Sequence, residues 1–327
     1  VVAYNNYPVW GGQKEPIPAW EIACGLDYMR GIKGQNFWIT EAIMGAQGHD
    51  VIGYLPRPRQ AKMWSYQGIA HGCSSLMYFR YRGATKGAEQ YCYGIIDQDN
   101  VKRRKFYEVQ SFFKEMKDNE ALTQSEVKSD VAVVYDYESM ASFRIQRQSF
   151  LMDYKQEVYR LYRPFYKKNI NMDVIPSDSD FDKYKVLLLP VMIVHKKEVQ
   201  DKVRKFVSGG GTVVFTYRTA VKDYYNNLTL GQFNPTYYTD LVGGYVEEVE
   251  SFQDDQVAFL IGNEEFEGIN GTATVFRDML KTTTAKTLFK YEDEFFEDLA
   301  AVTLNEYEGG KVYYIGSGAD NTIMDAI

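Results

Sequence analysis

Apolar and polar positions alternate along the first third of the chain in two rhythms, short apolar runs and longer stretches of helical period. Val1-Val2-Ala3-Tyr4 reads as the end of a strand, and Asn5-Asn6-Tyr7-Pro8 as a loop. Residues 16–29 take the helical period, with Pro at the start, where a missing N–H is harmless. Gln35-Asn36-Phe37-Trp38-Ile39-Thr40-Glu41 is a short apolar run ending in a carboxylate, and Gly45, Gly48 and Gly53 follow. Glu41 therefore falls where a strand hands over to a loop. A helix over 59–70, a strand over 75–81 and a helix over 103–116 repeat the order. Strand alternating with helix predicts parallel strands joined by crossover helices. Three such strands cannot bury themselves alone, so the unit reads as part of a larger barrel or sheet.

Residues 118–128 are polar and read as a linker, dividing the chain into 1–124 and 125–327. A second α/β pattern then begins with a strand over 130–136. A helix over 150–168, strands over 171–175 and 185–190, and a helix over 196–207 follow. Gly209-Gly210-Gly211 closes that helix, since Gly tolerates the left-handed cap. A strand over 212–216 completes what reads as a doubly wound sheet. From Gly244 onward short antiparallel strands are expected, the last over 310–316.

Composition narrows the picture. With 45% hydrophobic and 25% charged residues, the chain matches a folded globular protein. Its longest apolar run, from Val186 to Val194, is far short of a membrane span. The net charge of -7 argues against a nucleic-acid partner. The basic stretch Lys102-Arg103-Arg104-Lys105 reads as a solvated helix face. Three cysteines (Cys24, Cys73 and Cys92) form no CxxC pair and, beside three His, call for no metal site and no cofactor. No signal-peptide pattern is visible, which points to the cytoplasm, although residue 1 is Val and the true N-terminus is expected to lie further upstream.

The segment that carries chemistry is Phe37-Trp38-Ile39-Thr40-Glu41. In (β/α)8 barrels the active site lies at the C-terminal ends of the strands. Retaining glycosidases place two carboxyls there, about 5 to 5.5 Å apart, one as nucleophile and one as acid/base. Taken alone, a Glu ending a strand is equally a loop or cap carboxylate.

Several blocks in order change that balance. They are Tyr7-Pro8, Phe37-Trp38 to Glu41, Trp64-Ser65-Tyr66-Gln67 with Ala70-His71-Gly72, and Tyr78-Phe79-Arg80-Tyr81-Arg82. Gly87-Ala88-Glu89, Gly94-Ile95-Ile96-Asp97, Tyr135-Asp136-Tyr137, Leu189-Pro190, Gly209-Gly210-Gly211-Thr212 and Gly243-Gly244 continue the series. The chain resembles the family 42 glycoside hydrolases, the bacterial β-galactosidases, over roughly residues 1 to 318. The resemblance implies the C-terminal portion of a (β/α)8 TIM barrel, strands 6 to 8. A flavodoxin-like domain, similar to class I glutamine amidotransferases and used for trimerisation, would follow. It implies Glu41 as the nucleophile after strand 7, Tyr7 as an aromatic touching both nucleophile and sugar, and Glu89 as a carboxylate for galactose hydroxyls. Arg80 and Trp38 would shape the pocket, although a barrel-mouth salt bridge and plain core packing are the alternatives.

Two positions depart from the family's pattern. His49 stands where a Trp is common, and Cys92 where a His is common, both lining the sugar pocket in the family. The acid/base Glu, which follows an Asn after strand 4, has no counterpart here, so the chain alone is expected to be inactive. The amidotransferase chemistry is expected to be absent too, because every cysteine precedes residue 93. A non-catalytic carbohydrate-binding or oligomerisation protein with a degenerate site is the other reading. The expected partners are a β-galactoside and, in the full-length protein, two further copies.

Overall fold

A computed structural model describes residues 2–327. By contacts the chain divides into two units, Val1–Lys128 and Ser129–Ile327, so the division falls slightly later than the 124/125 boundary expected from composition.

In the first unit the order is β1 (Ala3–Asn6), α1 (Ala19–Gly31), β2 (Phe37–Ile43), α2 (Gln60–Ala70), β3 (Cys73–Phe79), α3 (Arg104–Asp118) and α4 (Glu120–Gln124). The three strands pair in parallel in the order β1-β2-β3. Ile22 and Leu26 of α1, Ala61 and Trp64 of α2, and Phe112 and Met116 of α3 bury against Phe37, Ile39 and Leu76 of the sheet. The opposite face is uncovered: Trp38 is 40% exposed and Met77 43%. These strands are the end of a (β/α)8 barrel, and the bare face is the one that lines a barrel's interior. The expected linker is instead partly helical. Its lack of an apolar stripe hid α4, which is held by side-chain pairs such as Gln124 to Glu120.

β2 carries a bulge. Its pairing with β1 steps from Tyr4↔Ile39 directly to Asn5↔Glu41, and its pairing with β3 from Ile39↔Leu76 to Ala42↔Tyr78. The extra residue re-aims the strand. Strict alternation from Phe37 and Ile39 would turn Glu41 into the helix-covered core. The bulge leaves it half-buried at the strand's C-terminal end.

The second unit opens with β4 (Val131–Tyr135), α5 (Tyr137–Ile145), α6 (Tyr154–Lys167), β5 (Met172–Pro176), β6 (Val186–Leu189), α7 (Lys197–Ser208), β7 (Thr212–Thr216) and α8 (Thr239–Val242). Then come β8 (Gly244–Ser251), β9 (Ala258–Gly262), β10 (Asn270–Thr282), β11 (Lys286–Tyr291), β12 (Ala300–Tyr307), β13 (Gly310–Ile315), β14 (Ser317–Ala319) and α9 (Asn321–Ala326). The parallel part runs β5-β4-β6-β7-β13. The second strand thus lies outside the first while the later ones run off its other side, the flavodoxin-like order. The antiparallel strands join this same sheet through β12 and β13. Of the three glycines after α7, Gly210 takes the left-handed conformation (φ 93°), and Gly211 donates to the Phe206 carbonyl.

Candidate active site

Tyr7 and Arg80 follow β1 and β3, and Glu41 lies in the last half of β2, which continues past it to Ile43 instead of ending at it. All three stand toward the C-terminal edge where barrel enzymes do their chemistry. The Tyr7 hydroxyl donates to Glu41 Oε2 at 2.7 Å. Burial, and next the Glu41 carboxylate beside it, push the Tyr7 phenol well above its ordinary range. It therefore stays protonated and keeps its donor role at any working pH.

The Arg80 guanidinium pairs with the Glu89 carboxylate and lies over the Phe79 ring, 4.4 Å from its centroid. Phe79 meets Tyr7 edge to face, with centroids 6.5 Å apart. On its other side Tyr7 packs against Trp10 at 5.1 Å, and Trp10 against His49 at 5.5 Å. The structure thus brings together Glu41, Tyr7, Arg80, Glu89 and His49, the last through Trp10. The Arg80–Glu89 salt bridge sits at the strand mouth. Trp38 occupies the uncovered sheet face three positions before Glu41.

Cys92 lies in the interior. It is 1% exposed, and its thiol donates to the Gly48 carbonyl at 3.6 Å. In this position it ties loops together and offers no surface to a sugar. His49, by contrast, is exposed. Trp10 and Gln47 escaped the sequence reading, and Phe79 stood in a block without a role of its own. Trp10 follows the Tyr7-Pro8 block closely enough to have been noticed, whereas Gln47 carries no local signal.

Two glycines let the loops close. A Cβ on Gly45 would sit 2.4 Å from the Tyr93 carbonyl oxygen, and one on Gly94 2.4 Å from that of Arg80. Only glycine permits such approaches.

All three cysteines are buried and free. Burial raises the Cys73 thiol to about 11, so it stays protonated near neutrality. We expect a thiol reagent such as DTNB to leave the native protein unmodified and to find three thiols per chain of this sequence after denaturation. Rapid labelling of native Cys92 would show that its loop opens.

Comparison with known proteins agrees with this geometry. Residues 1–119 match the β-galactosidase family 42 profile, and residues 129–327 match the β-galactosidase trimerisation domain of the same family. β-Galactosidase BgaA of Clostridium cellulovorans is 32% identical over 323 residues, covering 97% of this chain and 48% of that protein. GalA of Bacillus licheniformis is 30% identical over 326 residues, covering 97% and 47%. The crystal structure of β-galactosidase from Bacillus circulans sp. alkalophilus superposes with a TM-score of 0.92 at 27% identity, over 99% of this chain and 48% of that one. The chain belongs to the family 42 glycoside hydrolases. It spans about half the length of the relatives it matches.

Proposed function

We propose that the full-length protein containing this chain hydrolyses terminal non-reducing β-D-galactosides by double displacement, with Glu41 as nucleophile. The observation that carries this is the Tyr7–Glu41 hydrogen bond at the C-terminal edge of a barrel sheet. With Oε2 held by Tyr7, Oε1 is the oxygen free to attack the anomeric carbon. The C1–Oε1 bond forms as the bond to the leaving group breaks, and a general acid protonates the departing oxygen. Water then cleaves the galactosyl ester, with the same acid acting as base. Arg80 and Glu89 hold sugar hydroxyls, and His49 with Trp10 walls the pocket.

The general acid comes from outside this chain. Asn119-Glu120 stands at the α3–α4 junction, Asn263-Glu264 at a single 3-10 turn, and Asn305-Glu306 within β12. None ends a barrel strand, so the chain by itself turns over no galactoside. The second unit serves assembly as a homotrimer. Its exposed Tyr225 (82%), Leu230 (97%) and Phe233 (66%) give a subunit contact apolar area to cover.

The test is to incubate the full-length protein with a 2-deoxy-2-fluoro-β-galactoside and map the adduct by peptide mass. A galactosyl mass on the Glu41 peptide is expected. No adduct, with galactosides left intact, would favour a non-catalytic carbohydrate-binding or assembly protein.

A further inference from the structure

Gln47 is fully buried, yet its side-chain Oε1 has no hydrogen-bond partner among the described residues. Its Nε2 faces three backbone carbonyls: Tyr93 at 2.8 Å, and Gly45 and Phe79 each at 3.4 Å. Three acceptors around one atom fix which end of the amide is nitrogen, because only the NH2 end donates. A buried polar side chain that leaves its acceptor unpaired is poor material for stability alone.

Those carbonyls belong to the three segments that carry the candidate site. Gly45 follows β2 four positions after Glu41. Phe79 ends β3 and its carbonyl adjoins Arg80. Tyr93 adjoins Cys92 in the turn where Cys92 N–H donates to the Glu89 carbonyl at 3.0 Å. The main chain reinforces the tie: Tyr93 N–H donates to the Ala46 carbonyl at 3.0 Å, and the Gln47 carbonyl accepts from Gly53 N–H at 2.9 Å, closing the loop that bears His49. One amide group thus reaches every loop that presents a candidate site residue beyond Tyr7.

We infer that Gln47 is a positioning residue, setting the Glu41 strand end in register with the Arg80–Glu89 pair. The inference rests on the proposed role of Glu41. It is tested in the full-length protein with two substitutions of similar volume, Gln47→Met and Gln47→Glu. A small displacement of reacting groups costs up to about a hundredfold in rate. We expect the saturating rate of Glu41 labelling by the fluorogalactoside to fall about ten- to hundredfold in both, at temperatures where circular dichroism shows them folded. In Gln47→Glu the deficit shrinks as pH falls, because the protonated carboxyl regains one donor for the Tyr93 carbonyl. A role in stability alone would lower Tm and leave the saturating rate and its pH profile unchanged.

Hydrogen exchange at residues 44–48, 79–81 and 92–95 reads the same tie without substrate and should quicken in Gln47→Met. If the parent itself is not labelled, the nucleophile reading has failed and exchange still decides the role of Gln47. Folded variants with the parent's labelling rate and exchange pattern would overturn the inference. So would failure of both variants to fold, which would make Gln47 a residue of the fold.

Discussion

Replacing Glu41 with Gln in the full-length protein should lower kcat/KM for an aryl β-galactoside by about 10⁴-fold or more while the protein stays folded. The amide is nearly isosteric and its oxygen can still accept from Tyr7, so the local hydrogen bond survives. What disappears is the anionic nucleophile, and with it the galactosyl ester that splits the reaction into two easier steps. Glu41 is only half-buried, and its substitution opens no core cavity, so Tm should move little. A sharper form of the test uses Glu41→Ala, which leaves room for a small anion. Added azide should then restore turnover and yield the α-galactosyl azide, because a single displacement inverts the anomeric carbon. If Glu41→Gln retained activity within about tenfold of the parent, the nucleophile would lie elsewhere in the barrel.

How far the sequence could be read depended on whether the determining contact was local. β7 was legible to the residue, because Gly before it and a continuous apolar run within it are local signals. β3 ends two residues sooner than its apolar run suggested. Arg80 and Tyr81, the latter in a bend, give their carbonyls to Ile95 and Ile96 of the following loop, so they leave the sheet. The sequence reading assigns no element to 137–145, although Asp136 caps α5 by accepting from Ser139 N–H. The strand over 310–316 was visible, but its parallel partner β7 lies about a hundred residues earlier, and no periodicity reveals that pairing. At the site, Glu41, Tyr7, Arg80 and Glu89 stood out through an ordered series of blocks. The bulge that re-aims Glu41 is a property of pairing and left no mark in β2 itself. Cys92 was expected at the pocket wall because a motif position shows which side chain is present and not which way it points. Its burial against the Gly48 carbonyl became visible only in three dimensions.

The largest stability effect is expected at Asp136, in the second unit. Asp136 is 0% exposed and directly follows β4. Its Oδ1 accepts from Lys196 Nζ and from Ser177 Oγ, both at 2.7 Å, and its Oδ2 accepts from Ser139 N–H at 3.0 Å. Lys196 also reaches Glu138 Oε2 at 2.7 Å. Burial alone would lower the pKa of the Lys196 ammonium, but Asp136 and Glu138 outweigh it and raise it. This cluster joins the end of β4, the residue after β5 and the start of α7. In doubly wound sheets ligands bind at that switch point, outside the carboxyl ends of the strands. Here the side chains fill it themselves. Asp136→Ala removes the α5 cap and leaves a largely buried ammonium with one partly exposed carboxylate and the neutral Ser177 hydroxyl, so a loss of about 3–5 kcal/mol is expected. Lys196→Met leaves Asp136 its serine and backbone donors, so it should cost less. The double substitution should cost clearly less than the sum of the two, since neither charge is then stranded. Urea denaturation of the four proteins measures the cycle, and additive losses would show that the pair is not coupled. Because the cluster is remote in sequence from Glu41, the fluorogalactoside labelling rate of the folded fraction should not change in any of them.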